Sequence, residues 1–551
     1  MSQPPPRRRT AHNLMLFMWS NWMRTVLLVA VGFVLTPMLI QSFGFVLFGL
    51  FILIQQFSNA MVTPFRAAVT AILVKSISEA RGSGDDEDVS RVFTNGVCVL
   101  ASLPVIIITL AVIGIIFVSN ILDFPPEQLF NIRLAIAAEA SIITVIVLTA
   151  PYLSIYLINQ RPVLYNADLT VRRWLDLIAF LLALLPVGWN VFAAFILIRL
   201  VLNSMHGSVR VLIARQVMPE ARIRLSLLNR ATMGKLIRLG GLTAGQPFSN
   251  FNFFVLDNYL LNFVFGPIYN GIYAIVTQLR GYARRFGSQV FVGTVAIASD
   301  IHERGEHRTN IKAMLAVSRI TAGVMMLSTG IIVIFFQPLI DLWLGSRLRA
   351  DPSLAEVMPY EEAVDLVWGI LTLLLVGGIM LETATGASKF LYGMGLVKRY
   401  AGVMFGAGIA KFIISVIIAV IMVRAVTDIS AHPAASLLFP AVTLLCQVIF
   451  FGILMPHRVI KLTQISVGTW CWHALAKPLM ASVIPLGVGV VLIVTIQEWN
   501  WPWLVSSILL IGLLCMPSSF FLLLEGSERQ RVWNVIGRVR TGRLKGKGQS
   551  C

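Results

Sequence analysis

The chain has 551 residues, of which 57% are hydrophobic and only 13% charged, and its mean hydropathy is +0.81. A soluble domain carries about 25% charged residues, so these figures exclude an ordinary water-soluble globular protein. The net charge of +18 falls in short blocks between long apolar runs, which fits basic loops beside anionic lipid and not a nucleic-acid surface.

A bilayer span needs about 20 apolar residues. In chain order the apolar runs predict helices over 15–41, 44–66, 92–119, 133–159, 174–189 and 191–213. Six more follow over 240–265, 268–298, 313–340, 363–388, 400–423 and 435–456, and two last ones over 476–496 and 503–525. The expected fold class is therefore an all-α polytopic membrane protein of about 14 transmembrane helices. Residues 1–14 are expected to be a cytoplasmic tail, because Met1 to Thr10 is rich in Pro and Arg and carries no small-residue cleavage pattern.

The basic residues give a second reading of this topology. When segments alternate from a cytoplasmic N-terminus, thirty-nine of the 44 Lys and Arg fall on the inside. Only Arg133, Arg347, Arg349 and Arg424 fall outside, and Lys411 sits within a span. That bias predicts cytoplasmic ends at both termini. The longest outside loop, about Asp341 to Glu362, is acidic and too short to fold alone, so function is expected in the membrane or on its inner face.

A repeat is visible. Gly44, Gly49 and Gln56 are matched by Gly266, Gly271 and Gln278 at a constant offset, and Arg81-Gly82 by Arg304-Gly305 one residue further on. Parallel repeats of this kind predict two pseudo-symmetric six-helix lobes. The lobes would be 15–213 and 240–456, joined by a cytoplasmic linker at 214–239. Two additional helices would lie within 457–525, and a basic cytoplasmic tail at 526–551 would rest on anionic lipid.

A charge at bilayer depth costs at least about 2.5–3.5 kcal/mol on insertion scales, which makes each one a functional candidate. At about 1.5 Å rise per residue, Arg280 lies roughly 16 Å into its helix, Arg199 roughly 12 Å, and Lys411 near mid-helix. Arg284 follows Arg280 by one turn. Arg24 and Arg66 stand nearer the inner interface, where anchoring a helix is an equal reading. The 240–265 helix is polar on one face, with Gln246, Asn250 and Asp257 aligned and Ser249, Asn252 and Asn258 nearby. That face should line a cavity or a helix contact. Glu139 and Glu382 are further intramembrane acids.

Other patterns carry no chemistry. His302 and His307 are five residues apart, off the face a helical zinc motif requires. Residues 82–88 are too acidic to cradle phosphate, and the five cysteines form no metal or disulfide pattern. No metal site, cofactor or enzymatic constellation is expected.

The repeat segments also carry a family resemblance. Leu35 to Leu50, Val74 to Arg81, Asp257 to Tyr273 and Gln337 to Gly345 resemble the polysaccharide flippases of the MOP superfamily, the Wzx-like exporters in particular, over about residues 20–425. Two departures stand out: Val295 to Asp300 lacks a proline frequent in the family, and Asp428 to Ala435 replaces a Gly-rich turn. The resemblance implies a transporter in the bacterial inner membrane. It would flip a polyprenyl-pyrophosphate-linked oligosaccharide from inner to outer leaflet by alternating access, alongside other polysaccharide assembly proteins. Arg199, Arg280, Arg284, Lys411, Arg24, Arg66, Gln246 and Asn250 would then contact substrate. Asp257, Glu139 and Glu382 would couple transport to a proton or sodium gradient. The alternative is a MATE-type small-molecule exporter. That family usually carries acids in its first two helices, and none occurs here.

Overall fold

The computed structural model describes residues 7–530 and 533, apart from 83, 160, 187, 189, 243–248, 250, 291–293, 426–431 and 527. Side chains at 7–19, 61–69, 71, 72, 75, 82, 235, 238–242, 296, 300, 397–399 and 425 lie outside the description. Among the described residues the regular structure is entirely helical.

The principal helices are α1 (Arg7–Phe43), α2 (Phe45–Gly82), α3 (Asp86–Ile121), α4 (Leu129–Ile158), α5 (Pro162–Ala183) and α6 (Val191–Val217). They continue as α7 (Asp257–Phe265), α8 (Ile268–Gln289), α9 (His307–Ile334), α10 (Tyr360–Gly393), α11 (Val397–Ala425) and α12 (Pro433–Thr463). The last two are α13 (Val467–Thr495) and α14 (Trp501–Leu523). Ten described helices are long and apolar enough to cross a membrane. On α3 the side chains of Val105, Ile106, Ile116 and Phe117 are all more than half exposed. Water would not leave such a girdle bare, but hydrocarbon solvates it. The chain is a multi-pass membrane protein.

Polar caps set several helix starts. The Asp85 side chain accepts from the amides of Glu87 and Asp88 at α3, and Asn190, Ser466 and Asn500 act likewise at α6, α13 and α14. Each satisfies amide groups that a helix start leaves unbonded.

The chain forms two compact units that interleave in sequence, and neither follows one half of the chain. The first contains residues 1–282, 343–373 and 398–446, and the second 283–342, 374–397 and 447–551. In the first unit Phe93, Tyr152, Tyr156, Ala214 and Met218 form one buried core. Phe43, Phe51, Phe180, Phe192 and Phe195 form an aromatic cluster between α1, α2, α5 and α6. In the second unit α9 packs on α13 and α14, with Leu486 seated at Gly330 and Leu523 at Gly323.

The repeat has a structural meaning. Gly44 and Gly266 open the two copies at φ +78° and +90°, a region where only glycine is unstrained. Gly49 and Gly271 then meet each other: a Cβ on Gly49 would overlap the Gly271 backbone. The matched glutamines bond across the same contact. Gln56 Nε2 donates to Thr277 Oγ1 at 2.8 Å, and Thr36 donates to Gln278 Oε1 at 2.8 Å.

Asp351 ties the outside loop of the sequence topology to this repeat. One carboxylate oxygen caps the short helix Pro352–Ala355, and the other accepts from the Phe45 amide at 2.8 Å. Asp351→Ala strips both helix starts and is expected to cost about 1–3 kcal/mol. Thermal unfolding of the purified variant checks this, with Asp351→Asn losing less.

Several helices depart from the predicted spans, α2 by running on to Gly82 and α8 by ending at Gln289, and α5 departs for a reason its side chains show. α5 begins at Pro162 and ends at Ala183, whereas hydropathy places the span at 174–189. The reason is that Asn166, Asp168, Arg173 and Asp176 make its first half look like a loop. In the structure Asn166, Asp168 and Asp176 are buried, and their partners come from neighbouring helices.

Candidate functional site

Buried charge in the first unit gathers at three places. The innermost is an ion pair. Asp257 stands at the start of α7, where the preceding turn, Asn252–Leu256, is a widened π turn. Its carboxylate receives the Lys411 ammonium from α11, the Thr443 hydroxyl from α12 at 2.6 Å and the Tyr273 hydroxyl from α8 at 3.4 Å. Lys411 Nζ also donates to Ser415 Oγ at 2.6 Å. Asp257, Lys411, Ser415, Thr443 and Tyr273 are all fully buried. Four helices therefore converge on one neutralised pair, the arrangement in which buried charge becomes tolerable.

Beside it, Arg280 projects from α8. Its Nη1 donates to the Phe253 carbonyl at 3.0 Å, and its guanidinium lies 4.3 Å from the centre of the Phe254 ring. Both partners belong to the π turn, whose i→i+5 pattern shifts carbonyls out of the regular helical ladder.

The third place is a seam between α4, α5 and α6. Arg199 bridges two acids, with Nη1 on Glu139 and Nε on Asp176 at 2.7 Å. Arg173 reaches the other Asp176 oxygen at 3.2 Å. Two to three turns along α6, Arg210 grips Asp168 with Nε at 2.9 Å and Nη2 at 2.6 Å, while Nη1 donates to Thr149 at 2.8 Å. His206 Nε2 lies 3.2 Å from Asp168. Arg199, Asn203, His206 and Arg210 share one face of α6, at spacings of four, three and four.

In the second unit Arg284 Nε donates to Glu382 Oε1 at 2.5 Å, and Arg319 of α9 bonds Glu525 and Glu528 beyond α14.

The cations expected to contact substrate are thus held by different partners. Arg199, Arg284 and Lys411 each meet a carboxylate, and those carboxylates are the acids Glu139, Glu382 and Asp257 that the sequence set apart for coupling. Arg24 is half-buried on α1, one turn from Ser20, which accepts from Asn166 at 2.7 Å. Gln246, Asn250 and the Arg66 side chain lie outside the described residues. The polar face around α7 makes helix contacts where it is described. Asn270 donates to Asn258, and Asn262 donates to Asn270 at 2.6 Å and to the Asp123 carbonyl at 3.0 Å.

No protein-family model matches this sequence, and no curated protein matches it. Solved structures do. A lipid II flippase, MurJ, in its inward closed conformation aligns over 92% of this chain and 98% of its own, with a TM-score of 0.59 and 13% identity. An inward-facing MATE family transporter of the MOP superfamily covers 82% of this chain and 100% of its own, at TM-score 0.58 and 11% identity. The fold is like that of these transporters. A eukaryotic MATE transporter agrees, covering 83% of this chain and 98% of its own at TM-score 0.52 and 15% identity.

Within this fold, the sequence reading overlooked Asp168, Asp176, His206 and Arg210, because a charge-rich half-helix reads as a loop. The signal that marks them is the periodic face on α6, set against acids eight residues apart on α5. Thr443 had no such signal, since one threonine in an apolar run looks like any other.

Proposed function

We propose that the chain is a flippase carrying a polyprenyl-pyrophosphate-linked oligosaccharide from the inner to the outer leaflet by alternating access. It would cross the membrane fourteen times with both termini in the cytoplasm. The observation that carries this reading is the reach of the likeness: the lipid II flippase aligns with about a tenth more of the chain than the MATE transporters do. One further feature supports an anionic cargo: the first two predicted spans, 15–41 and 44–66, hold no acid.

The pyrophosphate needs a polar path, because hydrocarbon does not solvate it. Arg280 is assigned to contact it, with Arg24, Arg66, Gln246 and Asn250 along the route. Asp257 with Lys411 is assigned to coupling, since a proton or cation exchanged there changes the charge of a fully buried pair. Glu139 with Arg199, and Glu382 with Arg284, are secondary candidates of the same kind. The two lobes expected from the repeat would rock about this path.

The test is genetic. In cells lacking their own copy, Arg280→Ala is expected to lose glycan export at least tenfold while lipid-linked precursor accumulates on the inner leaflet. Export at the wild-type rate, with wild-type protein levels, removes Arg280 from the mechanism. The MATE-type alternative rests on a nearly equal TM-score. It would show instead as changed sensitivity to cationic drugs in the deletion strain, with glycan export intact.

A further inference from the structure

Arg319 stands apart from the other buried cations. In the first unit, the members of the Arg199–Glu139 and Lys411–Asp257 pairs are at most 1% exposed, cation and acid alike. Arg319 is also 1% exposed, but its acids are not buried with it: Glu525 is 43% exposed and Glu528 28%. These acids lie beyond α14, Glu525 just before the helical residues 528–530 and Glu528 within them, and not on a membrane-crossing helix. A charge buried for stability gains little from partners that water already screens.

The geometry around Arg319 is that of a receptor. Nη1 reaches Glu525 Oε1 at 3.1 Å and Nη2 reaches Glu528 Oε2 at 2.5 Å, so the fork grips two oxygens. From α13, His473 Nε2 lies 3.7 Å and Lys477 Nζ 4.0 Å from that same Glu525 oxygen. His473 Nδ1 is 3.1 Å from Arg319 Nη1, which orients the ring so that Nε2 faces the acid. Arg319 Nε is buried and has no hydrogen-bond partner among the described residues, leaving one more donor for a third oxygen. A planar fork with an ammonium and an imidazole beside it is suited to a phosphate group.

We propose that Arg319, His473 and Lys477 form a phosphate-binding site on the second unit, which the carboxylates of the chain's own Glu525 and Glu528 occupy as a plug. The bases sit on the long helices α9 and α13, whereas the acids sit beyond α14, where Glu528 Oε2 also accepts from the Glu525 amide at 2.7 Å, so the two acids can leave together as one short segment. In the sequence topology, α9 and α13 begin and α14 ends on the cytoplasmic side. The ligand is therefore a phosphate group met at the inner face, either on a lipid headgroup or free in solution. Binding would release Glu525 and Glu528 from the bases. This site does not depend on the flippase reading.

Glu525→Gln with Glu528→Gln removes the plug's charge and keeps its shape. In detergent, the full-length double variant is expected to bind inorganic pyrophosphate at least tenfold more tightly than wild type, read from ligand-dependent thermal unfolding. Adding Arg319→Gln should abolish the gain. In nanodiscs of phosphatidylglycerol and phosphatidylcholine, native mass spectrometry distinguishes the sources: retained phosphatidylglycerol marks a headgroup site, and binding of pyrophosphate alone marks a soluble ligand. A folded double variant with no gain for either probe overturns the proposal. Should that variant fail to fold, the wild-type chain still decides. Pyrophosphate is expected to speed cleavage at Glu525 and Glu528 by a glutamate-specific protease severalfold, and an unchanged rate counts against the site.

Discussion

Lys411→Met is expected to destabilise the protein by about 3–5 kcal/mol, the usual loss when one partner of a buried ion pair is removed. Asp257 would keep its bonds from Thr443 and Tyr273, but hydroxyl donors do not neutralise a carboxylate shut off from water. The remedy is to remove the second charge as well. Asp257→Asn with Lys411→Met is expected to regain most of the loss, because a neutral amide of the same shape fits the two hydroxyls. A double-mutant cycle by thermal or denaturant unfolding should give a coupling of at least about 2 kcal/mol. Additive single and double variants would show that the pair does not hold α7, α8, α11 and α12 together. The same variants separate stability from coupling: the double variant should fold yet lose any dependence of transport on an ion gradient.

The second large effect is expected at Arg199. This guanidinium bridges Glu139 and Asp176, so Arg199→Met strands two acids on α4 and α5 at once. The expected loss is again about 3–5 kcal/mol, enough to remove most folded protein from the membrane. Arg199→Lys should recover less than half of it, because a single ammonium does not span two carboxylates that a planar fork bridges. Glu139→Gln is expected to be milder, since Asp176 and Arg173 still hold the fork's other side. Expression level and unfolding temperature of the three variants, ranked in that order, check the bridge. A lysine variant as stable as the native protein would contradict it.

Much of the fold was legible because hydrocarbon leaves so few solutions. The long apolar runs and the register of Gly44 and Gly49 against Gly266 and Gly271 follow from satisfying every backbone group and packing helices closely. The structure adds what the register means, since Gly49 and Gly271 touch. α5 was not legible in full. Hydropathy treats Asp168, Arg173 and Asp176 as solvated, and only the opposing face of α6 shows that two of them are neutralised. The site was read less well than the fold for a related reason. A charge in a span looks the same in sequence whether it lines a path or locks a contact. Lys411 and Asp257 lie 154 residues apart, and no local pattern announces that they meet. Arg280 was singled out by depth alone, and its holding by the π turn depends on a backbone irregularity that Asn252 to Leu256 does not advertise.

The most direct test of the flippase reading is transport by the purified chain. Reconstituted in liposomes with a fluorescent polyprenyl-pyrophosphate oligosaccharide on the inner leaflet, the protein is expected to bring the sugar to a membrane-impermeant quencher outside. The rate should be at least tenfold above protein-free liposomes, and Arg280→Ala should abolish it. A well-folded preparation that leaves the glycolipid protected while expelling a cationic dye would contradict the reading and establish the exporter in its place.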